Sequence, residues 1–378
     1  MGRVIQSPDL PLVYDISPKF TVGQHGPGQG GSTPDLPWFR AIVVAATVIS
    51  LWITWPLWGP REYPTLLPFA GLPQVSLGPL LIAACLLALV SPRAGSTVVT
   101  VLIAYGMVTD QTRMQPEFFS LPLLLWGSLA SAGARLVARV SLISLWFFAG
   151  LHKVLSPDFM DDAGPRLVSV VRFALPDEMV QFAVAGIPAL EIGTAALAVL
   201  PATRKMAAWT ALALHAGILF TFSPLAEPRN VAVWPWNVAL ACSGFALIAP
   251  WRTAPLASLL AVPIVPRLTA MLIAVAPASY YLGIMDAYPA HHLYSAGTAR
   301  ATVYCPAGCR PEQDLNASWH HFNVPLPPEP RLFEATFRAT CAPGDVLRIS
   351  DPHPPPWSST HDERLSACPA GPLPAAHP

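Results

Sequence analysis

The sequence predicts an all-α polytopic membrane bundle of 8–9 transmembrane helices, followed by a small β-rich extracytoplasmic domain at the C-terminus. Hydrophobic residues make up 53% of the 378 residues and charged residues only 12%, whereas a soluble domain carries about 25% charged residues. Long apolar segments continue as far as residue 285, after which polar residues, Pro and Gly dominate. This composition is typical of a protein that crosses a lipid bilayer several times.

The predicted transmembrane domain, residues 38–285, contains nine apolar segments. A helix needs about 20 apolar residues to cross a bilayer, and the third and fourth segments are short for that purpose. The predicted spans are 39–59, 75–92, 95–109, 118–133, 137–155, 179–201, 205–222, 231–249 and 266–285. Residues 1–37 are polar and rich in Gly and Pro, without the apolar core of a signal peptide, so we predict a disordered tail.

The distribution of Lys and Arg predicts a cytoplasmic N-terminus and an extracytoplasmic C-terminal domain. Short cytoplasmic loops of membrane proteins carry an excess of these residues. With nine spans, the inner side carries Arg3, Lys19, Arg40, Arg93, Arg135, Arg139, Arg204, Lys205, Arg252 and Arg267. The outer loops carry fewer basic residues. The formal net charge is zero, which excludes nucleic acid as a partner and leaves the lipid bilayer as the predicted one.

The C-terminal part predicts a small disulfide-bonded outer domain over residues 286–360 and a tail at 361–378 that is disordered apart from Cys368. Short stretches rich in β-branched and aromatic residues alternate there with Pro and Gly turns, as in small sheets. The stretches predicted as strands are 301–304, 332–337 and 346–349.

The four cysteines of this region are predicted to form disulfides, because disulfides persist outside the cytoplasm. They are Cys305, Cys309, Cys341 and Cys368. Four cysteines allow three pairings, and the sequence does not choose among them. A zinc site is the less favoured alternative, because the CxxxC spacing of Cys305 and Cys309 has no second matching pair. No metal site is therefore predicted.

Three ionisable residues lie inside or at the end of apolar segments: Lys153, Glu191 and His215. Charged groups are costly in lipid, so such residues usually face the interior of a bundle and mark a site. Glu191 and His215 fall at similar depth on consecutive predicted spans, and we expect them to meet near mid-membrane. The alternative is a buried polar pair that only fixes the register of the helices.

Lys153 ends the segment that begins at Trp146, and Trp146, Gly150 and Lys153 share one helix face at i, i+4 and i+7. One interpretation is that the Lys153 side chain extends to the outer interface, which costs little. The other is that burial favours the neutral amine, which can then act as a base. The second interpretation makes Lys153 a candidate catalytic residue, with Glu191 and His215 beside it.

A polar segment, residues 110–116, lies at a predicted outer helix end. We predict that it binds a head group, an anion or a substrate; the alternative is an Asp110–Arg113 pair that closes a turn. Trp234 and Asn237 open the eighth predicted span on the same side. The predicted binding residues are Asp110, Gln111, Arg113, Gln115, Trp234 and Asn237.

The run Asp110-Gln111-Thr112-Arg113-Met114-Gln115-Pro116 resembles the DQxRxQP signature of HTTM-type bacterial membrane proteins, relatives of vitamin K-dependent gamma-glutamyl carboxylase. Other stretches are similar to later parts of that family, and the likeness covers roughly residues 38–300. These stretches are Phe148-Ala149-Gly150-Leu151-His152-Lys153 with Asp158-Phe159, Leu190-Glu191-Ile192-Gly193, Leu214-His215, Val233-Trp234-Pro235-Trp236-Asn237 and Leu293-Tyr294-Ser295-Ala296-Gly297-Thr298. The AGxxK stretch and the Leu190-Glu191 stretch also resemble DoxX/MauE-like redox-associated membrane proteins.

The resemblance implies that Lys153 deprotonates a hydroquinone and that His215 lies in the active region, so a quinone is the implied cofactor. Two features depart from the family pattern: Gln115-Pro116-Glu117 replaces an Asn-His pair, and about 90 residues replace a large lumenal domain. The implied function is quinone-type redox or carboxylation chemistry in an outward-facing intramembrane pocket. The alternative is a non-enzymatic partner, scaffold or lipid binder for a secreted redox system.

The enzyme interpretation makes a geometric prediction. Lys153, Glu191 and His215 should converge with Asp110 and Arg113 on one cavity that opens to the outer side. An amphipathic ring molecule would then lie with its polar end near Lys153.

Overall fold

The computed structural model describes residues 33–61, 66–69, 71–156, 158–169, 176–223, 230–306, 308, 312–315, 319–351 and 362–368. Most of the predicted N-terminal tail, residues 1–32, lies outside these residues. The described chain is mostly helical, with a small antiparallel sheet near the C-terminus.

Helices occupy the apolar part of the chain, and a helix lies in each of the nine segments predicted as spans. Several of these helices begin with Pro at the first or second position, where its missing N–H costs nothing. The helices are α1 (Pro37–Ile53), α2 (Gly78–Val90), α3 (Pro92–Thr109), α4 (Pro116–Gly127), α5 (Ala132–Leu155), α6 (Gly164–Leu167), α7 (Asp177–Val199), α8 (Arg204–Thr221), α9 (Val233–Ser243), α10 (Pro255–Leu260) and α11 (Ile264–Val275).

Three of the described helical segments are long and apolar enough to cross a membrane: Ala132–Leu155, Glu178–Val199 and Ile264–Leu282. The last of these joins α11 to the 3-10 helix that follows it. Shorter apolar helices span Pro37–Ile53, Gly78–Val90 and Val233–Ile248. A membrane bundle is therefore supported, whereas the count of 8–9 spans is not confirmed and stays a prediction.

The described residues of 286–368, which we call the outer part after their predicted position, contain an antiparallel sheet with strand order β2-β1-β3-β4. Its strands are β1 (Arg300–Tyr304), β2 (Gln313–Asp314), β3 (Val346–Asp351) and β4 (Asp362–Ala367). Two short helices accompany it, α12 (Trp319–Phe322) and α13 (Pro330–Thr340). Side chains of α13 pack with inward-facing residues of β1 and β3 in a second apolar core, which includes Val303, Phe333, Phe337, Leu347 and Ile349.

Two sequence predictions for this region are wrong. Residues 332–337, predicted as a strand, lie in α13: Pro330 starts the helix, and Leu332, Phe333 and Phe337 form its buried face. Residues 362–367, predicted as part of a disordered tail, form β4, which pairs with β3 along its whole length. The β4 sequence lacks a clear apolar alternation, so pairing to β3 and the neighbouring disulfide define the strand rather than its own pattern.

Polar contacts join the outer part to the helix ends below it. Gln115 Nε2 donates to the Pro325 carbonyl oxygen at 2.9 Å, and Asn323 Nδ2 donates to the Ile53 carbonyl oxygen at 2.7 Å. Arg331 Nε donates to Gln111 Oε1 at 3.0 Å. Two of the residues predicted to bind a ligand, Gln111 and Gln115, therefore hold the outer part against the bundle.

A disulfide joins Cys341, at the end of α13, to Cys368, at the end of β4, across a sequence separation of 27. Cys305 is also disulfide-bonded, and Cys309 lies outside the described residues. Closing a loop of this length stabilises a fold by about 3.5 kcal/mol through the lost entropy of the unfolded chain. We expect Cys341→Ser/Cys368→Ser to lower the free energy of unfolding of the outer part by about that amount, as denaturant titration with β-sheet circular dichroism measures. An unchanged unfolding midpoint in the double variant would contradict the prediction.

Candidate functional site

Lys153 and Glu191 form a buried ion pair between α5 and α7. Lys153 Nζ lies 2.9 Å from both Oε1 and Oε2 of Glu191, and it also donates to the Ala149 carbonyl oxygen at 3.1 Å. The two side chains are 3% and 7% exposed. Lys153 therefore does not extend to the interface, which was one of the two interpretations of the sequence, and its three N–H donors all have acceptors.

Gly150 allows the close helix approach that brings this pair together. A Cβ at residue 150 would lie 2.7 Å from Ile192 Cγ1, 2.9 Å from the Pro188 carbonyl oxygen and 3.0 Å from Glu191 Cβ. Only Gly fits such a contact, as at other close crossings of membrane helices. Lys153 lies three residues, about one turn, beyond the crossing point on the same helix face, opposite Glu191.

An apolar cavity of about 310 Å³ borders the ion pair. Lys153 and Glu191 are its charged lining residues, and the remaining wall is made mainly of aliphatic and aromatic side chains. Gly186 of α7 and Gly217 of α8 also line it, and each is exposed with open space where a Cβ would lie. These exposed positions show that the cavity opens at the side of the bundle, beside α7, which is long and apolar enough to cross a membrane. We refer to it as the lateral cavity.

His215 does not meet Glu191, contrary to the sequence prediction. Trp146 Nε1 donates to His215 Nε2 at 3.0 Å, so Nδ1 carries the proton and donates to Asn237 Oδ1 at 2.8 Å. Asn237 Nδ2 in turn donates to the Val233 carbonyl oxygen at 2.8 Å. This series of hydrogen bonds links α5, α8 and α9. Both ring nitrogens of His215 are occupied, because polar side chains of the three helices serve as one another's hydrogen-bond partners. His215 and Asn237 are therefore helix-linking residues, outside the lateral cavity.

Asp110 and Arg113 lie in a separate buried network. Asp110 Oδ2 is 2.5 Å from an Arg61 nitrogen and 3.6 Å from Arg113 Nε. Asp110 Oδ1 accepts the Thr112 N–H at 3.2 Å, and Arg113 Nε donates to the Leu57 carbonyl oxygen at 2.7 Å. The predicted convergence of these residues with Lys153 is wrong. The reason is that their charges are neutralised locally by a turn-closing pair, the alternative that the sequence left open.

The last predicted binding residue, Trp234, also makes a structural contact, since its Nε1 donates to the Phe222 carbonyl oxygen at 3.0 Å. Of the predicted residues, the structure thus brings together Lys153 and Glu191 at one cavity and Asp110 and Arg113 in one network. Gln115 lines a second, more polar cavity of about 230 Å³.

The second cavity, which we call the polar cavity, contains residues that the sequence did not single out as a site. Glu117, Asn230, Trp236, Tyr288 and Tyr294 line it. Glu117 directly follows the polar segment that ends at Pro116, and that adjacency is the signal that sequence reasoning could have used. The others lie far apart in the chain and meet only in the fold. Tyr294 lines both cavities.

Glu329 joins the outer part to the segment after α11. Its Oε1 accepts the Ala287 N–H at 2.7 Å, and its Oε2 lies 3.5 Å from a terminal guanidinium nitrogen of Arg331. Burial, reinforced by the nearby Asp286 carboxylate, raises the pKa of Glu329 from 4.5 to about 7.

Because the folded-state pKa is the higher one, the stability from this group is fully present below about pH 4.5 and is lost as the pH rises through about 7. We expect Glu329→Gln to flatten the fall of the melting temperature between those values, because the amide still accepts the Ala287 N–H without ionising. Thermal melts of both proteins at matched ionic strength measure this pH dependence of the melting temperature. The same pH slope in both proteins would refute the assignment.

Residues 131–226 match the family model described as methylamine utilisation protein MauE, a membrane-associated family. The matched residues begin just before α5 and extend past α8, so they include Lys153, Glu191 and His215. No curated protein and no solved structure matches the chain significantly. The DoxX/MauE-like part of the predicted resemblance is thus confirmed for these residues, whereas the relation to HTTM proteins and the carboxylase is not shown.

Proposed function

We propose that this protein is a membrane-embedded component of a redox system and that its lateral cavity binds a quinone-type ring molecule. The observation that carries the proposal is the position of the Lys153–Glu191 pair, the charged part of the wall of an otherwise apolar cavity. Ligand sites commonly combine an apolar wall with a few polar groups that fix orientation. The match of the surrounding helices to a MauE family model supports a membrane role in such a system.

The pair suits both forms of a quinone. A ring carbonyl oxygen can replace the Ala149 carbonyl oxygen, 3.1 Å away, as the third acceptor of Lys153 Nζ, and Glu191 supplies an acceptor for a ring hydroxyl. A proton that leaves a hydroquinone hydroxyl has a carboxylate beside it, so Glu191, rather than Lys153 alone, becomes the proposed proton acceptor. His215 has no part in this step because both of its ring nitrogens are engaged elsewhere.

The shape of the cavity favours a molecule with an apolar tail. The tail would leave between α7 and α8 past Gly186 and Gly217, which lack side chains on the lipid side. Entry from the bilayer requires no aqueous channel and no displacement of the outer part.

The proposed orientation keeps the N-terminus in the cytoplasm. Arg139 and Arg204 flank the Trp251 ring at 5.1 and 3.7 Å from its centroid, which gathers basic residues at one end of the bundle. The other end carries the disulfide-bonded outer part. A basic cytoplasmic end and a disulfide-bonded outer end agree with the preferred orientation of membrane proteins.

A second candidate function is a non-enzymatic partner of a secreted redox protein. The observation that favours it is that Lys153 and Glu191 satisfy each other, as expected for a purely structural pair. Under this alternative the lateral cavity holds ordinary lipid, and quinones bind no better than other apolar molecules.

Filling the cavity tests the proposal. We expect Gly186→Leu to weaken binding of a short-chain ubiquinone or menaquinone analogue at least about 10-fold, because the new side chain occupies ligand volume. Gly193→Leu is the matched control: residue 193 lies two turns further along the same helix, also has open space at its Cβ, and does not line the cavity. Titration of the purified protein in nanodiscs measures both. Equal affinities for the two variants would exclude the lateral cavity as the quinone site.

A further inference from the structure

The polar cavity contains buried polar atoms without hydrogen-bond partners. Among the described residues these include Glu117 Oε1, Asn230 Oδ1, Trp236 Nε1 and Ser295 Oγ, and all four residues line the same cavity. Glu117 is 1% exposed, and Ser295 is also 1% exposed. A native fold leaves few buried polar groups unsatisfied. Four around one cavity indicate a site built for a ligand.

Glu117 is the ionisable carboxyl group of this set. Within the part of the chain that the structure describes, no ion pair includes Glu117. Arg61 and Arg113 form their ion pairs with Asp110 instead. Burial without a counter-cation favours the neutral carboxylic acid, and a cationic ligand in the cavity would stabilise the carboxylate, with its proton released to solvent as the ligand binds.

The backbone around the cavity is strained. Asn230, His291, Tyr294 and Ala296 have φ values of +56°, +62°, +52° and +63°, although none of them is Gly. Such residues are uncommon and cluster at binding and catalytic sites. Three of them fall within the segment 291–296, which brings Tyr294 and Ser295 to the cavity. The strained backbone therefore adjoins the cavity that contains the unpartnered polar atoms.

The arrangement of these groups specifies the ligand chemistry. Glu117 Oε1 and Asn230 Oδ1 accept hydrogen bonds, so they require a ligand with at least two N–H or O–H donors. Trp236 and two tyrosines supply aromatic rings, whose faces attract cations. Burial raises the pKa of both Tyr288 and Tyr294, with Glu117 reinforcing the effect, so these phenols stay neutral and do not compete for the charge.

We propose that the polar cavity binds a primary ammonium group, with its N–H donors on Glu117 and Asn230 and its charge against the aromatic wall. Trp236 Nε1 and Ser295 Oγ then serve an oxygen on the same ligand, as in an amino alcohol. The ammonium belongs either to a free amine or to an ethanolamine lipid head group, which share this chemistry. The cavity is distinct from the lateral cavity, and among the described residues the two share Tyr294 alone.

The test is calorimetric titration of the full-length protein in nanodiscs of phosphatidylcholine alone. We expect saturable binding of methylammonium and tighter binding of ethanolamine, with acetate and glycerol inert. Tetramethylammonium should bind at least about 10-fold more weakly, because it has no N–H donors. Equal binding of tetramethylammonium, or no binding of any amine, would overturn the proposal and leave a cavity filled by water alone.

Three variants localise the binding. Glu117→Gln should weaken ethanolamine binding about 10- to 100-fold, because a charged hydrogen bond is lost. Asn230→Gly, which tolerates the positive φ of this position, should weaken it about 3- to 10-fold and provides a second test if Glu117→Gln folds poorly. Glu334→Gln is the control, since Glu334 pairs with Arg338 on the exposed face of α13. Equal losses in Glu117→Gln and Glu334→Gln would place the binding outside the cavity.

The two sources of the ammonium group are separated by lipid composition. If the ligand is a lipid head group, nanodiscs containing phosphatidylethanolamine should abolish ethanolamine binding in the wild type. If it is a free amine, the affinity should not change with that lipid. Either result supports the ammonium site, and the two differ only in the source.

Discussion

Lys153→Met should lower the free energy of unfolding by about 3–5 kcal/mol, because it leaves the Glu191 carboxylate buried without its partner. The volume match between Met and the Lys stem alone predicts an intact fold. The ion pair changes that expectation, since both side chains are almost fully buried. Unfolding of the protein in mixed micelles, followed by tryptophan fluorescence, measures the loss.

The double variant Lys153→Met/Glu191→Leu separates structure from function. Replacing both partners of a buried ion pair by apolar residues is often neutral or stabilising, so we expect most of the lost stability to return. Quinone binding should not return, because the polar end of the lateral cavity is gone. A double variant as unstable as Lys153→Met would contradict the ion-pair account, whereas a stable one that binds quinone normally would reduce the pair to a structural role.

Asp110→Ala should be comparably destabilising, by about 3–5 kcal/mol, because Arg61 and Arg113 lose their shared carboxylate in a buried network. Asp110→Asn should cost less, since the amide oxygen still accepts the Thr112 N–H that Asp110 accepts at 3.2 Å. The same micelle unfolding assay measures both.

Asp162→Ala is the matched control for Asp110→Ala. Asp162 also pairs with two arginines, Arg166 and Arg300, but these side chains are 60% and 47% exposed. Exposed ion pairs contribute about 0–1 kcal/mol, so this variant should be nearly as stable as the wild type. Similar losses for the two alanine variants would mean that the burial of Asp110 is not what makes its network stabilising.

The sequence predicts the helical part well because apolar composition and helix length are local properties. A helix lies in each predicted span, and β1 and β3 include the predicted strands at 301–304 and 346–349. The wrong predictions concern segments whose secondary structure is determined by tertiary contacts. The strand β4 exists through its pairing with β3, and residues 332–337 form a helix because Pro330 and a buried apolar face outweigh their β propensity.

The candidate site could be predicted only in part for a related reason. Their positions along consecutive predicted spans place Glu191 and His215 at similar depth in the membrane. The rotation of each helix about its axis, however, decides which side chains meet. Gly150 sets that rotation by admitting α7 to close contact with α5, which directs Glu191 to Lys153. His215 instead faces Trp146 and Asn237. The polar cavity is lined by residues from four separate segments of the chain, within 115–117, 230–236, 288–298 and 325–328. No local pattern in a single sequence predicts that these segments meet.

Mass spectrometry of small molecules that co-purify from native membranes tests the central claim most directly. The comparison is between wild-type protein and Gly186→Leu, extracted in a mild detergent and analysed for prenylated quinones and phospholipids. We expect a quinone in near-stoichiometric amount with the wild type and its loss from Gly186→Leu, while Gly193→Leu retains it. Phospholipid alone in all three samples would contradict the assignment of the lateral cavity as a quinone site.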